Sequence, residues 1–186
     1  MRLLALGLAL SLAACADGVP EPTPPAEQLA LFLDSRGLRL GDPAGGPSEL
    51  IAFGTGRGGV VEALGSTGRP VSDGGTDASC GAGPLDSATL ADDLTLWFDD
   101  EALVGWSTQR AGDAPPAYAA TTGLGVGSTR AALDGAYRVD VQETTLGTEF
   151  YTGVPGIPGG FSGLLGGTGP EATVTALWAG TTCTVR

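Results

Sequence analysis

Gly123-Leu124-Gly125-Val126-Gly127-Ser128-Thr129-Arg130-Ala131-Ala132-Leu133-Asp134-Gly135-Ala136-Tyr137 joins a glycine-punctuated lead-in to a short run with helical apolar spacing. Ser128 stands where a hydroxyl caps free amides, so the spacing predicts a short amphipathic helix. Val139-Asp140-Val141-Gln142 then alternates like a strand. Beyond a glycine-rich turn region, residues 161–165 and 173–178 read as strands, and 181–185 closes the domain.

The same order stands upstream. Leu29–Leu33 and Leu38–Leu40 flank the polar turn Asp34-Ser35-Arg36-Gly37 as a hairpin, and Leu50–Phe53 is a short buried strand. Gly54-Thr55-Gly56-Arg57-Gly58-Gly59 leads into a helix over Val60–Leu64 that Gly65 ends. Residues 66–91 read as a glycine-rich polar stretch around Cys80. Leu94–Phe98 and Leu103–Thr108 form a hairpin with an acidic turn, Asp99-Asp100-Glu101-Ala102. Phe53–Arg57 lies over Val126–Arg130 at an offset of 73 residues, and Trp106 falls near Trp178 at an offset of 72. The expected fold class is therefore α+β, with two related halves, each a short helix packed on an antiparallel sheet. The first repeat spans 29–110, a proline-bearing linker 111–122, and the second repeat 123–186.

The phrase Gly-Leu-Gly-Val-Gly-Ser-Thr-Arg, followed by Leu133, Tyr137, strands and a late cysteine, resembles the repeat of the beta-lactamase-inhibitor-protein-like and BamE-like small lipoproteins. Gly123 to Cys183 carries the likeness, and Leu50 to Thr108 departs from it at Gly56-Arg57-Gly58-Gly59. The resemblance implies a short helix on an antiparallel sheet, two repeats building one continuous sheet, and binding to other proteins. It assigns no functional residue.

Residues 1–14, a charged start and an apolar run ending in small residues before Cys15, read as a lipoprotein signal peptide too short to span a bilayer. Cys15 is the expected lipidation site, so the lipid bilayer is an expected partner through an N-terminal acyl anchor. Residues 15–28 carry Pro20, Pro22, Pro24 and Pro25 and read as a spacer. The expected location is the periplasmic face of a bacterial envelope membrane, with Ala16 after the cysteine favouring the outer one.

A formal net charge of −12 over 186 residues repels nucleic acid, which is excluded as a partner. All nine basic residues are arginine, and there is no histidine. Without histidine the usual hydrolase triads and most zinc sites fall away, and without lysine so does Schiff-base chemistry. No catalytic residue, metal ligand or cofactor is assigned, and the expected function is non-enzymatic: binding an envelope protein, or an envelope-structural role.

With Cys15 lipidated, Cys80 and Cys183 are left as an even pair, and a disulfide between them is expected, two separate buried thiols being the alternative. Gly54, Gly56 and Gly59 follow an apolar strand and open a helix, with Asp73 and Asp77 downstream where a ribose-binding acid would fall. A NAD(P)-dependent oxidoreductase is thus an alternative function. A calcium-stabilised binding module is a second, from Asp92, Asp93, Asp99, Asp100 and Glu101 around one hairpin. Trp97, Trp106 and Trp178, with Tyr137, Phe150 and Tyr151, are candidates for a binding face, the alternative being that the tryptophans fill the core. Alternation sets Leu94, Leu96 and Phe98 on one face and Thr95 with Trp97 on the other.

Overall fold

A computed structural model of the chain describes residues 28–90, 94–109, 117–154 and 159–183. The expected signal segment, Cys15, the expected spacer up to residue 27, residues 111–116 of the expected linker, and Asp92 and Asp93 lie outside the described residues.

The hairpin around Asp34–Gly37 forms as β1 (Ala30–Asp34) and β2 (Gly37–Gly41), and β3 (Ser48–Ala52) adds to β2 in a three-stranded antiparallel sheet. After α1 (Arg57–Gly65) come β4 (Val71–Asp77), β5 (Leu85–Leu90), β6 (Leu94–Asp99) and β7 (Ala102–Gln109). After α2 (Arg130–Ala136) come β8 (Asp140–Thr144), β9 (Gly147–Tyr151), β10 (Ser162–Leu165) and β11 (Val174–Gly180). These eight strands form one antiparallel sheet in the order β4-β5-β6-β7-β11-β10-β9-β8.

The register explains how the sheet builds a core. Val71, Leu90, Leu94, Thr108, Leu177, Gly163, Phe150 and Val141 succeed one another as direct cross-strand partners over all eight strands. Leu90, Leu94, Leu177 and Phe150 of this row are buried. Gly163 is small because the Phe150 ring lies across it, where a Cβ would collide. Opposite this face stand Leu31, Leu33, Leu38, Leu40 and Ile51 of the three-stranded sheet, all in the same hydrophobic cluster. Trp106 on β7 is fully buried, and its indole N–H donates to the carbonyls of Asp34 at 2.9 Å and Gly37 at 2.8 Å, locking the β1–β2 turn onto the larger sheet.

This arrangement corrects the expected fold class. The chain is mostly β, and it is not two halves each made of a helix on a sheet. The helices are short, nine and seven residues, and bury only Val60 and Leu64 from α1 and Leu133 from α2. Much of the apolar cover of the eight-stranded sheet comes from β1–β3, strands that the sequence pattern shows but does not stack. Residues 66–91, read as an irregular stretch, hold β4 and β5. β4 is an edge strand with an exposed middle, and it carries no buried periodicity to find. β9 likewise stands where only a turn region was expected. The cap of α2 is Thr129, which accepts the Ala132 amide at 3.2 Å, while Ser128 accepts the Gly125 amide and fixes the turn before it.

The acidic hairpin forms as expected between β6 and β7, with Asp99 opposite Ala102 and both intervening residues at positive φ, Asp100 at 46° and Glu101 at 64°. A two-residue turn that matches strand twist needs this conformation, which a glutamate rarely adopts. The turn is held from outside: the Arg57 amide donates to the Glu101 carbonyl at 2.8 Å, and Gly56 bridges Ala102.

Asp34 ends β1 as an electrostatic hub. Burial alone would raise its pKa, but the Arg36 amide and the Arg39 and Arg36 guanidiniums together hold it below the ordinary carboxylate value. A depressed folded-state pKa gives stability that is present above the unfolded value of about 3.9 and lost as pH falls through the lower folded value. Urea unfolding at descending pH should therefore show a loss of stability below about pH 4 that is smaller in Asp34→Asn. Identical pH profiles for the two proteins would refute that role.

Candidate functional site

The face of the eight-stranded sheet turned away from β1–β3 carries a second continuous row. Ser72, Thr89, Thr95, Ser107, Trp178, Ser162, Tyr151 and Asp140 are direct cross-strand partners, again one per strand. Where the inner row is aliphatic, this one is hydroxyl-rich and aromatic. Beside it Trp97 lies opposite Ser87 and Gly105.

Around these residues is a hollow of about 360 Å³ whose lining includes Thr89, Thr95, Trp97, Ser107, Trp178 and Cys183. The Trp97 indole donates to Ser107 Oγ at 2.9 Å, so that ring is fixed in place. Trp178 is 6% exposed, and its own indole N–H makes no hydrogen bond among the described residues. Since no buried side-chain polar atom among them is left without a partner, that N–H is open to the surface. One rim of the hollow is covalent: Cys80, in the β4–β5 connection, is disulfide-bonded to Cys183, beyond β11. The last turn of chain folds back over β7, where the Thr181 amide donates to the Val104 carbonyl, and Gly105 leaves room for the Thr181 carbonyl that a Cβ would strike.

The tryptophans of the sequence reading thus divide. Trp97 and Trp178 share the hollow, and Trp106 lies in the core on the other face, against Phe161 at 5.9 Å. Phe150 is core, Tyr137 packs edge-on to Phe161, and Tyr151 stands in the outer row with its hydroxyl donating to the Gly159 carbonyl at 2.7 Å. Thr95 was set beside Trp97 on this face from the sequence, whereas Thr89 and Ser107 were not singled out. Their signal was the alternation of small hydroxyl residues with leucine and alanine along β5 and β6.

The Gly54–Gly59 loop ties β3 to the β6–β7 hairpin: its amides at Gly54, Thr55 and Arg57 donate to the Leu103, Ala52 and Glu101 carbonyls, so these three backbone donors are committed to the fold. Arg57 lies over the Phe98 ring at 4.6 Å and pairs with Asp73 at 2.5 Å. Asp77 accepts from the Ser79 amide and hydroxyl, which holds its pKa low, and turns the chain toward Cys80. Asp99, Asp100 and Glu101 are exposed, and among the described residues no three acidic or cysteine side chains converge as a metal site. Among the described residues, no helix is long and apolar enough to cross a membrane.

Compared with known proteins, the chain matches no family model, no curated protein and no solved structure.

Proposed function

We propose that the chain is a lipid-anchored lipoprotein facing the periplasm, with a non-enzymatic role as a binding module for an envelope protein. Its contact surface is the outer face of the eight-stranded sheet. The observation that carries this reading is the outer row: eight strands present hydroxyls, Trp178 and Tyr151 on one side, around a hollow with Trp97. Tryptophan and tyrosine anchors in well-packed pockets are enriched in protein-binding hot spots. Arg39, Arg57 and Arg130 are paired with Asp34, Asp73 and Asp134, leaving the surface field to the acids. A partner with a basic contact surface is the electrostatic complement. The resemblance to BamE-like lipoproteins, whose members bind other proteins, supports the same reading, as does Cys15 after its apolar leader.

The test is crosslinking from intact membranes with the full, tethered chain as bait. One stoichiometric envelope partner should be captured by the native chain and by Glu62→Arg, on an exposed position of α1, and at least tenfold less by Thr95→Arg, which puts a long cation in the hollow. Capture that is unchanged by Thr95→Arg, or no partner at all, overturns the proposal.

A further inference from the structure

A second hollow, of about 610 Å³, lies where the edge of the three-stranded sheet meets β9–β11. Three groups of residues line it. The β1–β2 turn contributes Ser35 and Arg36, β3 and its exit contribute Leu50, Ala52 and Phe53, and the larger sheet contributes Tyr151, Ser162 and Trp178. Gly160 and Gly180 complete the lining, and both hold positive φ. A side chain at Gly180 would run into the Phe53 ring, and one at Gly160 into the Tyr151 ring, so neither position leaves room for one.

The chemistry of this lining is one-sided. Arg36 is the single charged residue among those that line it, and it is cationic in a chain of net charge −12. Its side chain is 63% exposed, and its Nε contact with Asp34 Oδ1 is long, 3.4 Å, beside the shorter 2.6 Å pair of Arg39 with Oδ2. Trp178 is more than nine-tenths buried, it borders this hollow as well as the one with Trp97, and its indole N–H has no partner among the described residues. Guanidinium and indole are donors only. The Arg36 guanidinium N–H groups beyond its one Nε contact with Asp34, the indole N–H, two serine hydroxyls and an apolar wall of Leu50, Ala52 and Phe53 describe the complement of a carboxylate on an apolar body.

We propose that this hollow binds a carboxylate that carries an apolar side group, with Arg36 pairing to the anion and Leu50, Ala52 and Phe53 covering the body. The ligand is either a small free acid or the C-terminal carboxylate of another polypeptide. In the second case β3 supplies more: the Phe53 amide donates to the Arg36 carbonyl in the β1–β2 turn and the Ala52 carbonyl is taken by the Thr55 amide, while by strand alternation the amide and carbonyl of Leu50 and the amide of Ala52 point away from β2. An extended chain end laid there would pair with them. The acidity of the rest of the molecule acts against an anion only at long range, since screening cuts it off within about 8 Å at physiological salt. The hollow borders the outer row at Trp178, Ser162 and Tyr151, but the inference does not rest on the outer-face reading: it can hold if no envelope partner is captured.

The experiment is a titration followed by tryptophan fluorescence in the Trp97→Phe variant, which removes the other partly exposed indole. The probes are N-acetyl-phenylalanine, its amide, and the acid of N-acetyl-Leu-Leu-Phe. The single acid should saturate, and the amide should bind at least tenfold more weakly, the scale of one charge-assisted hydrogen bond. Arg36→Gln, at an exposed turn, should abolish that preference, and Ala52→Phe should fill the hollow and end binding of both acids. A tripeptide acid that binds at least tenfold tighter than the single acid identifies a polypeptide C-terminus as the natural ligand, whereas equal affinities identify a free acid. No saturation by either acid, or equal affinity for acid and amide, overturns the proposal.

Discussion

Trp106→Ala should lower the unfolding free energy by about 3–5 kcal/mol, the range for removing a fully buried large aromatic side chain. That is about a fifth or more of the stability of an ordinary domain. Trp106 is 0% exposed and pairs on its own sheet with Leu96 and Ala179. Its indole N–H is shared by two carbonyls at opposite ends of the β1–β2 turn, Asp34 and Gly37. Truncation therefore opens a cavity at the junction of the two sheets and removes the donor that holds the turn to β7. Trp106→Phe separates the two effects. It keeps most of the ring and loses the donor, so its cost should be nearer about 1–3 kcal/mol, the penalty for polar groups left unpaired. Urea denaturation followed by circular dichroism measures both. A cost below about 1 kcal/mol for the alanine variant would mean that the smaller sheet is not anchored through this residue.

The same residue shows why the sequence was legible in pieces and not as a whole. Local alternation is a short-range signal, and it located β1, β2, β6, β7 and β11 within a few residues, because each buries one face. It set Trp97 and Leu96 on opposite faces, as they are in the structure. It failed at β4, whose Asp73-Gly74-Gly75-Thr76 segment is exposed at a sheet edge, since an edge strand with little burial has no pattern to display. It also had no means of stacking sheets. That β1–β3 cover the larger sheet follows from long-range contacts such as Trp106 to the β1–β2 turn, and nothing in Leu29–Leu40 specifies them. The helices were given too large a share for the same reason: Val60, Leu64 and Leu133 look like the start of a helical layer until the competing sheet is seen. For the outer face, the aromatic residues were legible by type, but the hydroxyl row was not, because Ser72, Thr89, Thr95 and Ser107 become neighbours only through the strand register.

Replacing both Cys80 and Cys183 by serine should lower stability by about 4–5 kcal/mol, an effect as large as that of Trp106→Ala. The bridge closes a loop with a sequence separation of 103 residues. In the chain-entropy description, releasing so long a loop frees the unfolded ensemble by about that amount. For a domain of this size the melting temperature should fall by about 10–15 °C. Topology adds a reason for the bond to be where it is. Cys80 belongs to the β4–β7 meander and Cys183 follows β11 of the other meander, and the two meanders meet along five residue pairs between β7 and β11. A ladder of that length is a seam with few long-range restraints, and the disulfide spans it from outside, over the face that carries Trp97 and Trp178. Loss of the bond should therefore do two things at once: lower the melting temperature, and loosen the rim that Cys183 provides, weakening capture of the proposed envelope partner at temperatures where the domain is still folded. A variant that melts within about 3 °C of the native protein would show that the seam is held by packing alone. One that melts early yet captures its partner undiminished would separate the bond's role in folding from any role in the contact surface.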